Sequence, residues 1–184
     1  MKKLILVLFL MLTVSGICRA EDATNTLDPG GYKGAKWGMG PKEVQKACPG
    51  KSFYWSGDDM IYKSNSYEVN VKVKFRFKDY KLVSVTIHYG DENKSQWLAY
   101  QKAKTIASKL YEETKQKYGP HIKLVRSEDG NLKYYYWDLD QTIIGVCSWC
   151  DFPDGIAWIS YEEKEYGLKV LDDLFKYPMG LILE

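Results

Sequence analysis

The sharpest chemical feature of the sequence is a pair of cysteines, Cys147 and Cys150, in the segment Cys-Ser-Trp-Cys. Three kinds of site fit this spacing: a structural disulfide, a thiol redox centre and half of a zinc site. A redox centre needs a thiol pKa lowered by a helix N-terminus or a nearby cation. Here a strand-like run leads in and Asp151 follows, and its negative charge raises a thiol pKa. We predict a Cys147–Cys150 disulfide, because closing so short a loop needs no long-range placement of the chain.

This disulfide sets a condition on the backbone. In an extended strand the two cysteines are ~10 Å apart at ~3.3 Å per residue, beyond the ~7 Å limit on the Cα separation of a disulfide. The strand must therefore end or bulge at Ser148-Trp149 if the two residues pair. In the alternative, Cys48 pairs with one of them. Without Cys18 of the leader three cysteines remain, so in either case one is left over or joins another chain.

The sequence predicts no catalytic site and no metal site. One Cys-x-x-Cys supplies two of the four ligands of a structural zinc ion, and Cys48, His88 and His121 match no ligand spacing. The chain contains no G-x-S-x-G, H-E-x-x-H or phosphate-binding loop. Paired acids such as Asp58-Asp59 and Glu112-Glu113 are typical of turns and solvated helix faces. We expect no cofactor, and the sequence favours a protein that is not an enzyme.

A basic stripe alternates with apolar residues in a strand-like segment and consists of Lys72, Lys74, Arg76 and Lys78. From it we select Lys72, Lys74 and Arg76 as candidate binding residues. Alternation places them together on one face of a strand. The simpler interpretation is a solvated sheet face with lysines that protect an edge. The functional interpretation is a surface for an anionic partner, either an acidic patch on a protein or a polyanionic glycan. The next strand is expected to add three residues to this face: Ser84, Thr86 and His88.

Residues 134–137 read Tyr-Tyr-Tyr-Trp on a predicted strand, so two aromatic side chains point to each side. One pair is expected in the core. The other pair, for which we select Tyr135 and Trp137, is a candidate binding surface, because Trp and Tyr are enriched at protein interfaces. A concave aromatic wall also suits sugars or a flat small ligand.

The elements that must position these residues include a clear hairpin. Segments 67–77 and 82–89 alternate between apolar and polar residues. Both apolar sets must face the same core, so Phe77 is predicted opposite Val83. This register implies a three-residue loop, Asp79–Lys81, with a bulge.

The remaining elements follow a repeated order of a helix and then strands. The predicted helices cover a short segment opened by Pro41, residues 93–118, and residues 162–175. Strand-like runs cover residues 60–63, 122–126, 132–139, 142–147 and 156–161. The strict alternation of the hairpin is typical of an antiparallel sheet with helices on one face and water on the other. We predict an α+β fold of this kind, with the helix-then-strands order repeated twice.

Residues 1–20 have the features of a signal peptide. Lys2-Lys3 precedes the apolar run Leu4–Val14, which is well short of the ~20 residues that span a bilayer. Small residues at Cys18 and Ala20 fit cleavage after Ala20. The alternatives are an uncleaved anchor, for which the run is short, and a lipid on Cys18, which a large preceding residue disfavours. We predict a periplasmic or secreted protein that is not an integral membrane protein.

Composition and charge exclude two further classes. The chain of 184 residues has 26 Lys+Arg and 24 Asp+Glu, and the leader carries basic residues and no acidic one, so a nucleic-acid partner has little support. An apolar fraction of 45% with 15% aromatic residues excludes a disordered chain. The predicted organisation is a flexible lead-in at 21–35, a single domain at 36–176 with halves at about 36–90 and 93–161, and a tail at 177–184.

The segment Trp37–Val44, W-G-M-G-P-K-E-V, resembles the W-G-M-x-x-x-E-V opening of a group of exported bacterial proteins. The hairpin Phe75–Val85, the helix end Lys117–Pro120 and the strand Ile159–Tyr161 agree with that group. The arrangement is similar to the domains of β-lactamase-inhibitor-like proteins and of the SmpA/OmlA outer-membrane assembly lipoproteins. This resemblance implies a periplasmic protein that binds other proteins, and it assigns no functional residue. We predict such a protein, with a thiol redox protein and a small-ligand or glycan binder as alternatives.

Overall fold

The structure, a computed structural model, describes residues 29–90, 98–127, 129–151, 153–176 and 181–183. Its helices are α1 Pro41–Ala47, α2 Tyr100–Tyr118 and α3 Lys164–Lys176. Its strands are β1 Gly31–Tyr32, β2 Ala35–Lys36, β3 Tyr54–Ser56, β4 Asp59–Ser66, β5 Val69–Lys78, β6 Lys81–Tyr89, β7 Leu98–Ala99, β8 Lys123–Ser127, β9 Leu132–Asp138, β10 Thr142–Asp151, β11 Asp154–Glu163 and β12 Leu181–Leu183. The predicted α+β class and the repeated order of a helix followed by strands are confirmed. The predicted signal peptide lies outside the described residues.

One antiparallel sheet organises the whole domain. Its strand order is β12-β8-β9-β10-β11-β6-β5-β4-β3, with β7 paired to β11 near one end. The two predicted halves meet where β6 pairs with β11, and Ile87 lies opposite Ile159 at the centre of that contact. The halves therefore share one continuous sheet and one core.

The hairpin of β5 and β6 shows why this register forms. Phe75 lies opposite Val85, so the apolar sets of both strands face the same side. The turn is shorter than we predicted: Asp79 and Tyr80 both have positive φ, and Lys78 pairs directly with Lys81. A two-residue turn of this kind matches the twist of the strands. The extra residue is taken up by a register shift after Arg76 instead.

The consequence of this shift is a different partner for Phe77. It lies opposite Leu82 rather than Val83, so our predicted pairing is wrong at this position while the predicted bulge is confirmed. Leu82 is fully buried and Val83 only partly. The bulge therefore allows the larger side chain to enter the core at the end of the hairpin.

The helices α1 and α2, with the chain next to α1, cover one side of the sheet. We call this side the helix face. Val44 of α1 and Ile106 and Leu110 of α2 pack there against buried sheet residues such as Phe75 and Ile144. Full burial of an aliphatic or aromatic side chain stabilises the fold by about 1.5–3 kcal/mol. In the described part of the chain, no helix combines the length and the apolar character that a membrane crossing needs.

The described part of the predicted lead-in is well packed, which corrects our expectation for residues 29–35. β1 and β2 form a small hairpin. Within it Ala35 is buried, and the ring of Tyr32 lies 6.3 Å from that of Phe75 and 5.5 Å from that of Tyr161. This segment thus forms a tight hairpin that presents an aromatic side chain to the core.

α2 begins later than its apolar periodicity predicts. Leu98 and Ala99 are extended and pair with Gly155 and Asp154 as β7, so the helix starts at Tyr100. The predicted start near residue 93 lies outside the described residues. The predicted end is confirmed, because Gly119 follows with a positive φ of 85°.

α3 packs on the opposite side of the sheet, which differs from the single covered face that we expected. Leu171 joins a second apolar cluster with Ile143, Tyr134 and Tyr136. Gly167 allows this contact, because a Cβ at that position would lie 2.8 Å from the Cβ of Ile143. Odd-numbered and even-numbered residues of β10 face opposite sides of the sheet. Both sets contain apolar residues, so this half of the sheet needs cover on both sides.

The predicted tail also contributes to the sheet. Residues 181–183 form β12, which pairs with β8 from Leu181 opposite Ser127 to Leu183 opposite Val125. The sheet therefore extends by one strand beyond β8, and the domain does not end at residue 176.

Candidate functional site

The two cysteines of the Cys-Ser-Trp-Cys segment point to opposite faces of the sheet. β10 does not end at Ser148, since its ladder with β11 continues without interruption to Asp151 opposite Asp154. Residues three apart in such a strand have opposite side-chain directions. Cys147 lies with the second apolar cluster, whereas the sulfur of Cys150 is 3.3 Å from the position of a Cβ on Gly155, on the helix face. The predicted disulfide is therefore wrong.

All three described cysteines are free and buried: Cys48, Cys147 and Cys150. Burial raises the pKa of the Cys147 thiol well above its ordinary value. Burial also raises the pKa of Cys150, and this effect outweighs the lowering by Lys104 and Lys133. Both sulfurs are protonated at neutral pH, so the geometry and the electrostatics of this segment do not favour a redox centre.

The predicted aromatic pair, Tyr135 and Trp137, lies on the helix face rather than on an exposed surface. Trp137 is 1% exposed, and its Nε1 donates a hydrogen bond to the carbonyl oxygen of Gly119 at 2.9 Å. Tyr135 is half-buried, with its ring 4.5 Å from that of Tyr111 on α2. Trp137 is thus a core residue that ties β9 to the end of α2, and only Tyr135 reaches a groove.

Lys72, Lys74 and Arg76 share the sheet face opposite α1 and α2, because the alternate residues of β5 are in the core. The register confirms the companions expected on β6: Lys72 pairs with His88, Lys74 with Thr86 and Arg76 with Ser84. We call this surface the polar sheet face. Its members on four neighbouring strands are Asp59, Lys63, Lys72, Lys74, Arg76, Ser84, Thr86, His88, Trp158, Ser160 and Glu162.

Several members of the polar sheet face are not predictable from their local sequence. Trp158 pairs with His88, and their rings stack with centroids 6.1 Å apart and an interplanar angle of 22°. The period-2 pattern of β11 shows that Trp158 and Ser160 share a face. It does not show that β11 lies beside β6, and this adjacency brings the residues of the two halves together.

Arg76 is held by an acid within the polar sheet face. Its Nε donates to Asp59 Oδ1 at 2.8 Å and its Nη2 to Asp59 Oδ2 at 2.9 Å. The Arg76 side chain is 52% exposed, whereas that of Asp59 is 11% exposed. The positive charge of Arg76 is therefore largely balanced within the protein.

Glu162 is a buried carboxyl group where the polar sheet face meets α3. Burial raises its pKa from 4.5 to about 7, against the lowering effects of a hydrogen bond with Ser160 and of the nearby Arg76. Within the residues that the structure describes, its Oε2 atom has no hydrogen-bond partner. The backbone of Gly167 lies close above, since a Cβ there would be 3.1 Å from the Cβ of Glu162.

Exposed aromatic side chains lie at the β3 edge of the sheet and at the β5–β6 turn. Tyr54 is 40% exposed, Trp55 54% and Tyr80 84%. The ring of Trp55 lies 5.8 Å from that of Phe77. Tyr54 lies opposite Ile61, and Ile61 lies opposite Lys74. All three side chains point to the same side of the sheet, so Tyr54 borders the polar sheet face. The sequence analysis did not select these residues, because β3 is too short to show a period.

No metal centre is formed within the described ranges, where no three His, Cys, Asp or Glu side chains come together in a way that could hold an ion. The surface that combines charge, hydrogen-bonding groups and aromatic rings is the polar sheet face. No family model, no curated protein and no solved structure matches this chain.

Proposed function

We propose that this protein is an exported, non-catalytic protein that binds another protein through the polar sheet face. The observation that carries the proposal is the strand register, which aligns Lys63, Lys72, His88 and Trp158 across four strands. Lys74 lies two residues beyond Lys72 on the same side of the sheet. Lys63 is exposed, and the other four are partly exposed. These residues come from four strands, so the surface is broad enough for a macromolecule.

The charge of this surface favours an acidic patch on the partner. Arg76 is balanced by Asp59, and the raised pKa of Glu162, caused by burial, reduces its negative charge near neutral pH. Lys63, Lys72 and Lys74 add three positive charges to this face. A surface of one sign accelerates association with a surface of the opposite sign and suppresses wrong partners.

The aromatic residues favour a protein partner over a glycan or a small ligand. Trp158 and His88 form a stacked pair among the charged residues, and Tyr54 borders them. Trp and Tyr dominate the energy of many protein interfaces. A surface that spans four strands also offers the area that a protein interface needs.

Export is proposed from the sequence of residues 1–20, where Lys2-Lys3 precedes an apolar run and small residues precede the bond after Ala20. Cell fractionation and the intact mass of the purified protein test this part. We expect the protein in the exported fraction, with Glu21 as its first residue. A cytoplasmic protein that retains Met1 would contradict export.

Site-specific photo-crosslinking tests the binding surface. A crosslinking residue at Lys63 is expected to capture one partner, and a matched residue at Lys46 on α1, which is also exposed, is not. The charge reversal Lys72→Glu/Lys74→Glu should abolish the Lys63 crosslink, and added salt should weaken it. The control Lys42→Glu/Lys46→Glu should leave it intact. A crosslink that survives Lys72→Glu/Lys74→Glu would overturn the proposal, provided that the variant is folded.

A further inference from the structure

A second concave site lies on the helix face, between α2 and the strands β9 and β10. It is a groove of about 150 Å³. Its helix wall carries Lys104, Ser108 and Tyr111, which occupy successive turns of α2. Its sheet wall carries Lys133 and Tyr135, with Val146 as the cross-strand neighbour of Tyr135. The two walls belong to a helix and to paired strands, so the groove is a rigid feature of the fold.

One end of the groove is basic. Lys104 and Lys133 line it from opposite walls. Both lie close enough to the Cys150 sulfur to lower the pKa of that thiol, and burial raises the same pKa by more. Glu112 is the acidic residue among the lining side chains. Neither lysine forms an ion pair within the described part of the chain. Two cations at the same end of a groove attract an anionic group.

The other end of the groove is aromatic. The rings of Tyr111 and Tyr135 lie 4.5 Å apart, and His121 extends this cluster with its Nδ1 atom 3.2 Å from the Tyr111 hydroxyl. Apolar contact with a ligand at this end would come from ring faces and from Ala107. A ligand that fits both ends has an anionic head and a small apolar body.

We propose that this groove binds a small organic acid, with one carboxylate or phosphate head held between Lys104 and Lys133 and a body of about one ring against Tyr111 and Tyr135. The site is separate from the polar sheet face and does not depend on the proposed protein partner. Small-ligand sites combine an apolar wall with a few placed polar groups in this manner. The two head groups share the same requirement, a pair of cations at one end of a short groove.

Titration followed by amide NMR tests the proposal with benzoate, phenyl phosphate and the neutral analogue benzamide. We expect saturable shifts of the amides of Val146 and Ser148 with at least one of the two anions, and the tighter anion identifies the preferred head group. Benzamide should bind about tenfold more weakly, because it lacks the charge. Equal binding of benzamide, or no saturable shift with either anion, would overturn the inference.

Variants separate a charged site from a structural void. Lys104→Gln and Lys133→Gln should each weaken anion binding about tenfold, whereas Lys104→Arg should retain most of it. The control Lys123→Gln changes an exposed lysine of β8 and should leave the affinity unchanged. All three lysines are exposed, so thermal unfolding should differ little among the variants. Unchanged affinity in both glutamine variants would contradict the site.

Discussion

The guanidinium of Arg76 binds the carboxylate of Asp59 through two parallel hydrogen bonds of 2.8 and 2.9 Å across the β4–β5 pair. Charge-assisted bonds of this bidentate kind fix the orientation of both side chains. Arg76 was predicted as a binding residue together with Lys72 and Lys74. The pair shows that Arg76 has a structural partner, so its guanidinium is already engaged within the protein.

Removal of the acid from this pair should destabilise the fold. Asp59→Ala leaves the Arg76 charge without its partner, and we expect the free energy of unfolding to fall by about 1–2 kcal/mol. Arg76 is half-exposed and water compensates part of the loss. Urea denaturation gives the value, and Asp58→Ala, at the exposed neighbouring residue, is the control. Identical urea midpoints for the two variants would show that the pair does not contribute.

The buried carboxyl group of Glu162 should make stability depend on pH. Its folded pKa of about 7, raised by burial above an ordinary 4.5, means that the folded protein binds the proton more tightly than the unfolded chain. The stabilisation is complete below pH 4.5 and is lost as the pH rises through 7. We expect a loss of up to about 3 kcal/mol by pH 8, at about 1.36 kcal/mol per pKa unit.

Glu162→Gln tests this expectation, because glutamine resembles the protonated acid. The variant should match the wild type near pH 4 and exceed it in stability at pH 8, as measured by urea denaturation across the pH range. Glu68→Gln is the control, since the Glu68 side chain is 92% exposed. A wild-type protein whose stability is flat from pH 5 to pH 8 is incompatible with this assignment.

The free cysteines give a prediction about oxidation state. In the chain that starts at Glu21, thiol titration in denaturant without reductant should detect Cys48, Cys147 and Cys150 as thiols. In the folded protein Cys147, which is 1% exposed, should not react. Cys150, which is 9% exposed, should react slowly. A mass lower by two hydrogen atoms, with a single thiol detected, would instead show that two of these cysteines form a disulfide.

Gly145 and Tyr134 should be energetically coupled. A Cβ at Gly145 would overlap the Oη and Cζ atoms of the Tyr134 ring, which is buried beside Ser160. Gly145→Ala should therefore lower the free energy of unfolding by about 1–3 kcal/mol. Tyr134→Phe removes one of the overlapping atoms, so the cost of Gly145→Ala should be smaller in that background. A double-mutant cycle measures the coupling, and additive effects would contradict it.

The elements were predictable where one physical signal dominates. The period-2 pattern around Val73 identifies β5 because its two faces meet different environments. The same signal fails for β10, where Ile143, Ile144 and Val146 face two apolar layers and no polar face marks the alternation. A strand covered on both sides reads as a continuous apolar run. The apolar run of β10 therefore hides its alternation, and the sequence analysis missed the cover that α3 provides on the second face.

The candidate site was predictable only in part, because it depends on which strands are neighbours. Lys72 and Lys74 follow from alternation within one strand, and Thr86 and His88 follow from the hairpin. Trp158 belongs to the same surface only because β11 pairs with β6. The cysteine pairing failed for a related reason. A local spacing suggested a bond, but the ladder between β10 and β11 fixed the two side chains on opposite faces.

The junction between the halves also determines how the chain must fold. Residues 84–89 cannot complete their ladder until residues 157–162 arrive, so the central contact is among the most distant in sequence. Contacts of long range slow folding, because the loop entropy is lost before they form. Until then the β6 edge is an unpaired strand that other chains can join. A newly synthesised chain is therefore most prone to aggregate before β11 has docked, and a chaperone that shields this edge would raise the yield of folded protein.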